Sequence, residues 1–146
     1  AAGISMFNRF FQPDIDLDTL SVVDRVQLSS SADTLLAMPL IAILRGSTTL
    51  SLAATGGVHT AADALKMLLA GADVVHMASA LLKRGPQALS QVLQGMTDWL
   101  AEREYTSVAQ MKGSMSQQNS PNPSAFARAS YLHAINSFTP PAGVRY

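Results

Sequence analysis

The sequence predicts an α/β fold built on a parallel sheet, and three observations carry that expectation. First, an apolar run at residues 50–54, a Thr55-Gly56-Gly57 break, an amphipathic pattern at 61–70 and a second apolar run at 74–77 follow one another within thirty residues. Strand, turn, helix and strand in that order form a βαβ unit, from which parallel sheets are made. Second, the helix in that unit has proper ends, with Thr60 at an N-cap position and Gly71 closing the pattern. Third, no competing class fits. No repeat appears at a solenoid period, and the longest apolar stretch, 35–44, is interrupted by Pro39 and is about half the roughly 20 residues of a membrane-spanning helix.

Taken in order, residues 4–7 predict a first strand ending in Asn8-Arg9. A loop follows through Phe10, Phe11, Gln12, Pro13 and the acidic Asp14, Asp16 and Asp18. Residues 22–28 alternate imperfectly and predict a short strand or hairpin arm before the polar break Ser29-Ser30-Ser31. Pro39 suits the first position of a helix, where its missing amide hydrogen has no helical partner, so a short helix is expected from 39 to 45, closed by Gly46. In the 61–70 helix Ala61, Ala64, Leu65, Leu68 and Leu69 share a face, with Asp63 and Lys66 opposite. After Gly85-Pro86 a longer helix is expected to about Glu102, covering the core with Leu89, Val92, Leu93, Met96, Trp99 and Leu100. One or two helical turns are expected within 107–112, a linker or mobile loop at 117–123, a final helical pattern from Pro123 and Ser124 through Ile135, and a frayed end after Thr139.

Composition narrows the function. Charged residues are 14% of the 146, below the roughly 25% usual in soluble domains, which predicts a surface that partly faces other protein. Ten basic and ten acidic residues cancel, leaving no footprint for nucleic acid, and no basic helix suggests a membrane surface. The absence of cysteine excludes disulfides, thiolate nucleophiles and thiolate metal sites, and fits a reducing, cytoplasmic setting. The start, Ala1-Ala2-Gly3-Ile4-Ser5, has neither an initiator Met nor the basic region of a signal peptide and reads as a cut inside a longer chain.

In parallel α/β architectures, ligands sit beyond the carboxyl ends of the strands. Gly56 and Gly57 occupy one such place, where positive φ angles and close approach of a phosphate are possible. Ala78 and Ser79 occupy a second, offering backbone amides and one hydroxyl. Two neighbouring small-residue turns of this kind could grip one phosphate between them. Asn8, at the end of the first strand, could point its amide into the same face. His59 reads as polar lining beside the Gly-Gly turn, His76 as packed or facing a helix, and His133 as part of a terminal helix. Their spacing gives no helical metal pair, and Asp14, Asp16 and Asp18 lack the glycine and terminal Glu of a calcium loop, so no metal is expected. No nucleophile and base pair is recognisable.

The segments Met6-Phe7-Asn8-Arg9-Phe10-Phe11-Gln12-Pro13-Asp14, Ser51-Leu52-Ala53-Ala54-Thr55-Gly56-Gly57-Val58 and Gly71-Ala72-Asp73-Val74-Val75, with Ala78-Ser79-Ala80-Leu81, together resemble the C-terminal part of the dihydroorotate dehydrogenase family. The likeness is greatest to bacterial proteins called dihydroorotate dehydrogenase-like. Residues 103–113 resemble the family's closing helix, and the resemblance covers about residues 3–118. It implies strands six to eight of an incomplete FMN-binding (β/α)8 TIM barrel at residues 1–118, followed by a linker and terminal helix at 119–146. On that resemblance Gly56, Gly57, Ala78 and Ser79 bind the FMN phosphate and Asn8 contacts the pyrimidine substrate. Ala78 stands where typical members have Gly, and Arg9-Phe10 departs from the usual Ser or Thr, which leaves open whether the substrate is dihydroorotate or a related ring.

The family's reaction moves a hydride from dihydroorotate to the flavin while a Cys or Ser base takes a proton. That base lies on earlier strands, so no catalytic residue is assigned here. This chain alone is expected to be inactive and to need the rest of the barrel or self-association, because three strands leave two open sheet edges. Two alternatives stay open. One is a non-catalytic partial barrel that binds a phosphorylated ligand or completes another chain; the other is a different phosphate-binding TIM-barrel enzyme.

Overall fold

A computed structural model of the chain describes residues 1–8, 12–24 and 26–123. Arg9, His133 and the final helical pattern from Ser124 onward lie outside the described residues. Three strands, β1 (Gly3–Met6), β4 (Ser51–Ala54) and β5 (Val74–Val75), form a parallel sheet in the order β1-β4-β5. Its register aligns Met6 with Ala54 and Ala54 with Val75. Between β1 and β4 lie a hairpin, β2 (Asp14–Asp16) with β3 (Ser21–Val23), and helix α1 (Thr34–Leu44). Helix α2 (Ala61–Ala70) connects β4 to β5, and α3 (Ser79–Arg84), α4 (Gln87–Glu102) and α5 (Val108–Met111) follow.

Strand alternation sorts the side chains between the two faces of the sheet. Met6, Leu52 and Ala54 point to the helices and are at most 4% exposed, packed with Ile41 of α1 and Met67 of α2. On the opposite face Gly3, Ser5, Ser51, Val74 and His76 are exposed. The described residues therefore cover one face of the sheet and leave the other open. His76 was expected to be packed or to face a helix; one residue beyond β5, it is exposed on the open side and lines a cavity at the carboxyl ends of the strands.

Helix α1 starts five residues earlier than Pro39 suggested. Ser30 N donates to the Asp33 carboxylate at 2.8 Å, and a 3-10 turn (Ser31–Asp33) then leads into Thr34. Pro39 lies inside the helix on its exposed face, while Ala37, Ile41 and Ala42 are buried. Acidic residues 14–16, expected as loop, form a strand because Asp16 folds back on its own turn, accepting from Asp18 N and Thr19 N at 2.9 Å each. The predicted arm at 22–28 is strand only at its start.

Helix α2 begins at Thr60 and stops at Gly71 as expected. Asp63 is not on a solvent face; it is 5% exposed, covered by the segment entering α1. Helix α4 has the predicted extent, but Leu89 and Leu93 are 47% and 54% exposed while Ala88 and Val92 are buried. The contact line is set by Gly95, where an added Cβ would stand 2.7 Å from the Ala61 Cβ, so α4 meets α2 along its small residues. Of the expected closing helix at 103–113 only α5 is helical. Residues 113–115 instead run against α2, Gly113 N and Met115 N each donating at 2.9 Å to the end carbonyls of Leu68 and Leu69. The Leu69 carbonyl is a group a helix C-terminus otherwise leaves to water, and the Leu68 carbonyl gains a second donor beside Gly71 N.

Candidate functional site

The carboxyl ends of the three parallel strands converge. Backbone pairing continues past the strands, with Thr55 N donating to Met6 O at 2.7 Å and His76 N to Ala54 O at 2.8 Å. The residues that follow each strand are thereby brought level. Asn8, Gly56, Gly57, Ala78 and Ser79, singled out in the sequence, all line one cavity of about 200 Å³. Asn8 is exposed at its mouth.

The two glycines do different work. Both have positive φ, 89° at Gly56 and 82° at Gly57, which side chains avoid. A Cβ on Gly56 would meet only Phe7 O, at 3.9 Å, so its surroundings leave room for a ligand. A Cβ on Gly57 would lie 2.4 Å from Thr34 N and 2.9 Å from Asp33 C. The close approach at Gly57 is that of the α1 backbone. Ala78 has φ −126° and ψ −61°, a conformation that does not require glycine, so alanine there costs no positive-φ strain.

Ser29 was missed as a site residue. It is 8% exposed and sits between the two turns: its N–H donates to Ser79 Oγ at 3.0 Å, and its hydroxyl accepts from Gly57 N at 3.4 Å. The hydroxyl also lies 3.1 Å from His59 Nε2, and its carbonyl accepts from Lys83 Nζ at 2.7 Å. The two turns are thus neighbours joined through one residue, and Ser29 already engages the Gly57 amide, at the long limit of a hydrogen bond. The available signal was three serines followed by Asp33, the pattern of a helix start.

Two cations lie near the turns but outside the cavity lining, whose one charged residue among those described is Asp33. Lys83 bonds Ser29, and Arg84 Nη2 donates to the His59 carbonyl, placing two cations behind the turns. Asp33, which also lines the cavity, has its carboxylate engaged by Ser30. Asp63 accepts from Ser31 Oγ, His59 N, Thr60 N and Thr60 Oγ between 2.7 and 3.1 Å. Burial pushes its carboxyl up, yet those hydrogen bonds together hold it below the usual carboxylate range. The backbone of the two turns and the Ser29, Thr55 and Ser79 hydroxyls share the lining with apolar Phe7, Leu36, Ala37 and Val58; the former are the groups a phosphate could use. Among the described residues no group of three or more His, Asp or Glu is placed to hold a metal ion.

Comparison with known proteins decides the family. The sequence model described as dihydroorotate dehydrogenase matches residues 3–100. The chain belongs to the dihydroorotate dehydrogenase family. A putative dihydroorotate dehydrogenase A (fumarate) of Pediococcus pentosaceus is 30% identical over 115 residues, 75% of this chain and 37% of the relative. The catalytic subunit of a dihydroorotate dehydrogenase B (NAD(+)) of Trichlorobacter lovleyi is 37% identical over 60 residues, 41% of this chain and 19% of the relative. The chain thus spans about a fifth to two fifths of the length of these curated relatives. In fold it matches dihydroorotate dehydrogenase of Eimeria tenella, with a TM-score of 0.61 to the ferulenol complex at 21% identity and of 0.55 to the ligand-free form at 23%. Those alignments cover 77% and 58% of this chain and 30% and 24% of the solved ones. The shared architecture is mixed α/β, and these dihydroorotate dehydrogenases are barrel enzymes. No helix among the described residues is long and apolar enough to cross a membrane.

Proposed function

We propose that this chain is the cofactor-phosphate end of an FMN-dependent oxidoreductase that acts on the CH–CH bond of dihydroorotate or a related ring. In this reading β1, β4 and β5 are strands six to eight of the barrel, and partners supply the rest of it by completing the sheet edges at β1 and β5. A chain without cysteine suits the cytoplasm.

The observation that supports the reading most is the convergence of Asn8, Gly56, Gly57, Ala78 and Ser79 on one cavity, with the Gly56 side open. The residues present fit a phosphate monoester. Gly56 and Gly57 would hold it through main-chain N–H groups, and Ser79 would add a hydroxyl. For Gly57 to contribute, the Ser29 hydroxyl must give up a bond 3.4 Å long, a small cost. Ala78 would present its amide past a methyl group. Asn8, at the mouth, would orient the substrate ring with its side-chain amide. Bound FMN supplies the two-electron acceptor; the residues of this chain position rather than react.

The test is a fluorescence titration of the 146-residue chain with FMN and with riboflavin, which lacks the phosphate. The reading requires FMN to bind at least about tenfold more tightly, the worth of one or two charge-assisted hydrogen bonds. Equal affinity for the two flavins would remove the phosphate site. Asn8→Ala is expected to leave FMN affinity unchanged and to weaken orotate binding to the FMN-loaded chain.

A further inference from the structure

We propose that Asp63 is a positioning residue for the phosphate cradle, acting through the Ser31 hydroxyl; this rests on the cofactor reading above and deepens it. An acidic residue three places after an N-cap ordinarily serves its own helix, and Asp63 does so by accepting from Thr60 N at 2.9 Å while Asp63 N donates to Thr60 Oγ at 3.2 Å. Those bonds account for the cap. They do not account for the bond from Ser31 Oγ, at 2.7 Å the shortest that Asp63 makes, to a residue 32 positions away on the approach to another helix.

That bond ties two otherwise separate turns. Ser31 opens the 3-10 turn before α1, and Ser29, two residues earlier, is the group that reaches both Gly57 and Ser79. On the other side Asp63 accepts from His59 N, two residues after Gly57, at 3.1 Å. One carboxylate therefore fixes the Ser29–Ser31 bend and the Gly56–Gly57 bend relative to each other, close behind the cavity and outside its lining. Packing holds Thr34 against Gly57; at the exposed Ser31 the added restraint is its hydroxyl bond to Asp63. At Gly57 the α1 backbone comes close, with Thr34 N 2.4 Å from where a Cβ would stand. Asp63 is 5% exposed and holds several donors at once, so its carboxylate is a stiff anchor for the donors that reach it.

The experiment uses Ser31→Ala, which removes the tie and keeps Asp63 and the α2 cap, with Ser31→Thr restoring the hydroxyl and Asp63→Asn as a second probe. Hydrogen exchange in the ligand-free chain reads the tie directly. Ser31→Ala is expected to speed exchange of the Ser29 and Gly57 amides about tenfold while the α2 amides keep wild-type rates. Titration with FMN and riboflavin reads the consequence. Ser31→Ala is expected to weaken FMN about fivefold, leave riboflavin unchanged, and be rescued by Ser31→Thr. Unchanged exchange at Ser29 and Gly57 overturns the proposal, and so does an equal loss of both flavins, which marks general destabilisation. If wild-type chain fails to prefer FMN, the cofactor reading falls, and the positioning role is then decided by the exchange result.

Discussion

Replacing Asp73 by Asn should cost about 2 kcal/mol at neutral pH, and the cost should vanish in acid. Asp73 stands just before β5 at the amino end of the sheet, where its carboxylate joins four segments. It accepts from Leu52 N of β4 at 2.9 Å, from Arg45 Nη1 at 3.1 and 3.0 Å just beyond α1, and from Lys112 Nζ at 2.5 Å just beyond α5. Burial pushes the carboxyl up, but the Lys112 and Leu52 hydrogen bonds and the Arg45 charge together bring it down to about 2 from 3.8. Nearly two pKa units correspond to about 2.5 kcal/mol. Solvent screening trims this toward 2, because the Arg45 and Lys112 side chains are 26% and 28% exposed.

The folded-state value is depressed, so this stabilisation is complete above the unfolded carboxyl value near 4. It is lost as pH falls toward 2, where the unfolded chain has taken up a proton and the folded chain follows. Asn cannot pair with two cations at any pH. Urea unfolding followed by circular dichroism should show wild-type and Asp73→Asn separated by about 2 kcal/mol at pH 7 and converging between pH 4 and 2. By size scaling, the pH 7 melting points should differ by about 4–8 °C. A gap that is independent of pH, or below about 0.5 kcal/mol at pH 7, would refute the staple.

Three further expectations follow from the same geometry. Gly57→Ala should destabilise by about 3 kcal/mol, because its methyl meets Thr34 N at 2.4 Å in addition to the positive-φ cost. Gly56→Ala should lose only the roughly 1–2 kcal/mol of that conformation. Urea midpoints compare them, and equal losses would contradict the assigned packing. Pro39→Ala should raise the melting point by restoring a bond to the Leu35 carbonyl inside α1, with a gain of about 1–3 kcal/mol; a loss would show that the ring packs usefully. Thr60→Ala should cost about 1 kcal/mol by removing the acceptor for Asp63 N, as read by thermal unfolding, and no change would mean the cap is idle.

Local rules carried the sequence furthest where one short segment determined its own conformation. Thr60, Asp63 and Gly71 bound α2 with side-chain and backbone chemistry contained within the helix itself, and both ends were legible. The Gly-Gly turn after β4 was legible for the same reason; the strand expected at 74–77 stops at Val75, and Ser79 opens α3, a helix not anticipated there. What escaped depended on partners distant in sequence. Pro39 read as a helix start because its local preference is strong, yet Ser30 and Asp33 had already opened α1 and the helix tolerates the missing bond on its exposed side. Helical spacing placed Asp63 opposite the apolar face; there Ser31, His59 and Thr60 close over its carboxylate. Leu89 and Leu93 fitted the apolar stripe of α4, but the contact runs along Ala88, Val92 and Gly95 because backbone closeness to Ala61 sets the rotation. Ser29 looked like one serine in a polar break and is the link between the two turns. The need for glycine at 57 was visible in sequence, but its reason, the α1 backbone, was not.

The most direct measurement is amide chemical-shift mapping of isotope-labelled chain during addition of FMN, with the phosphorus resonance of FMN followed in parallel. The account requires the amides of Gly56, Gly57 and Ser79 to shift together, at one affinity, as the phosphorus signal moves. Shifts scattered over the exposed sheet face with those three amides still would contradict it.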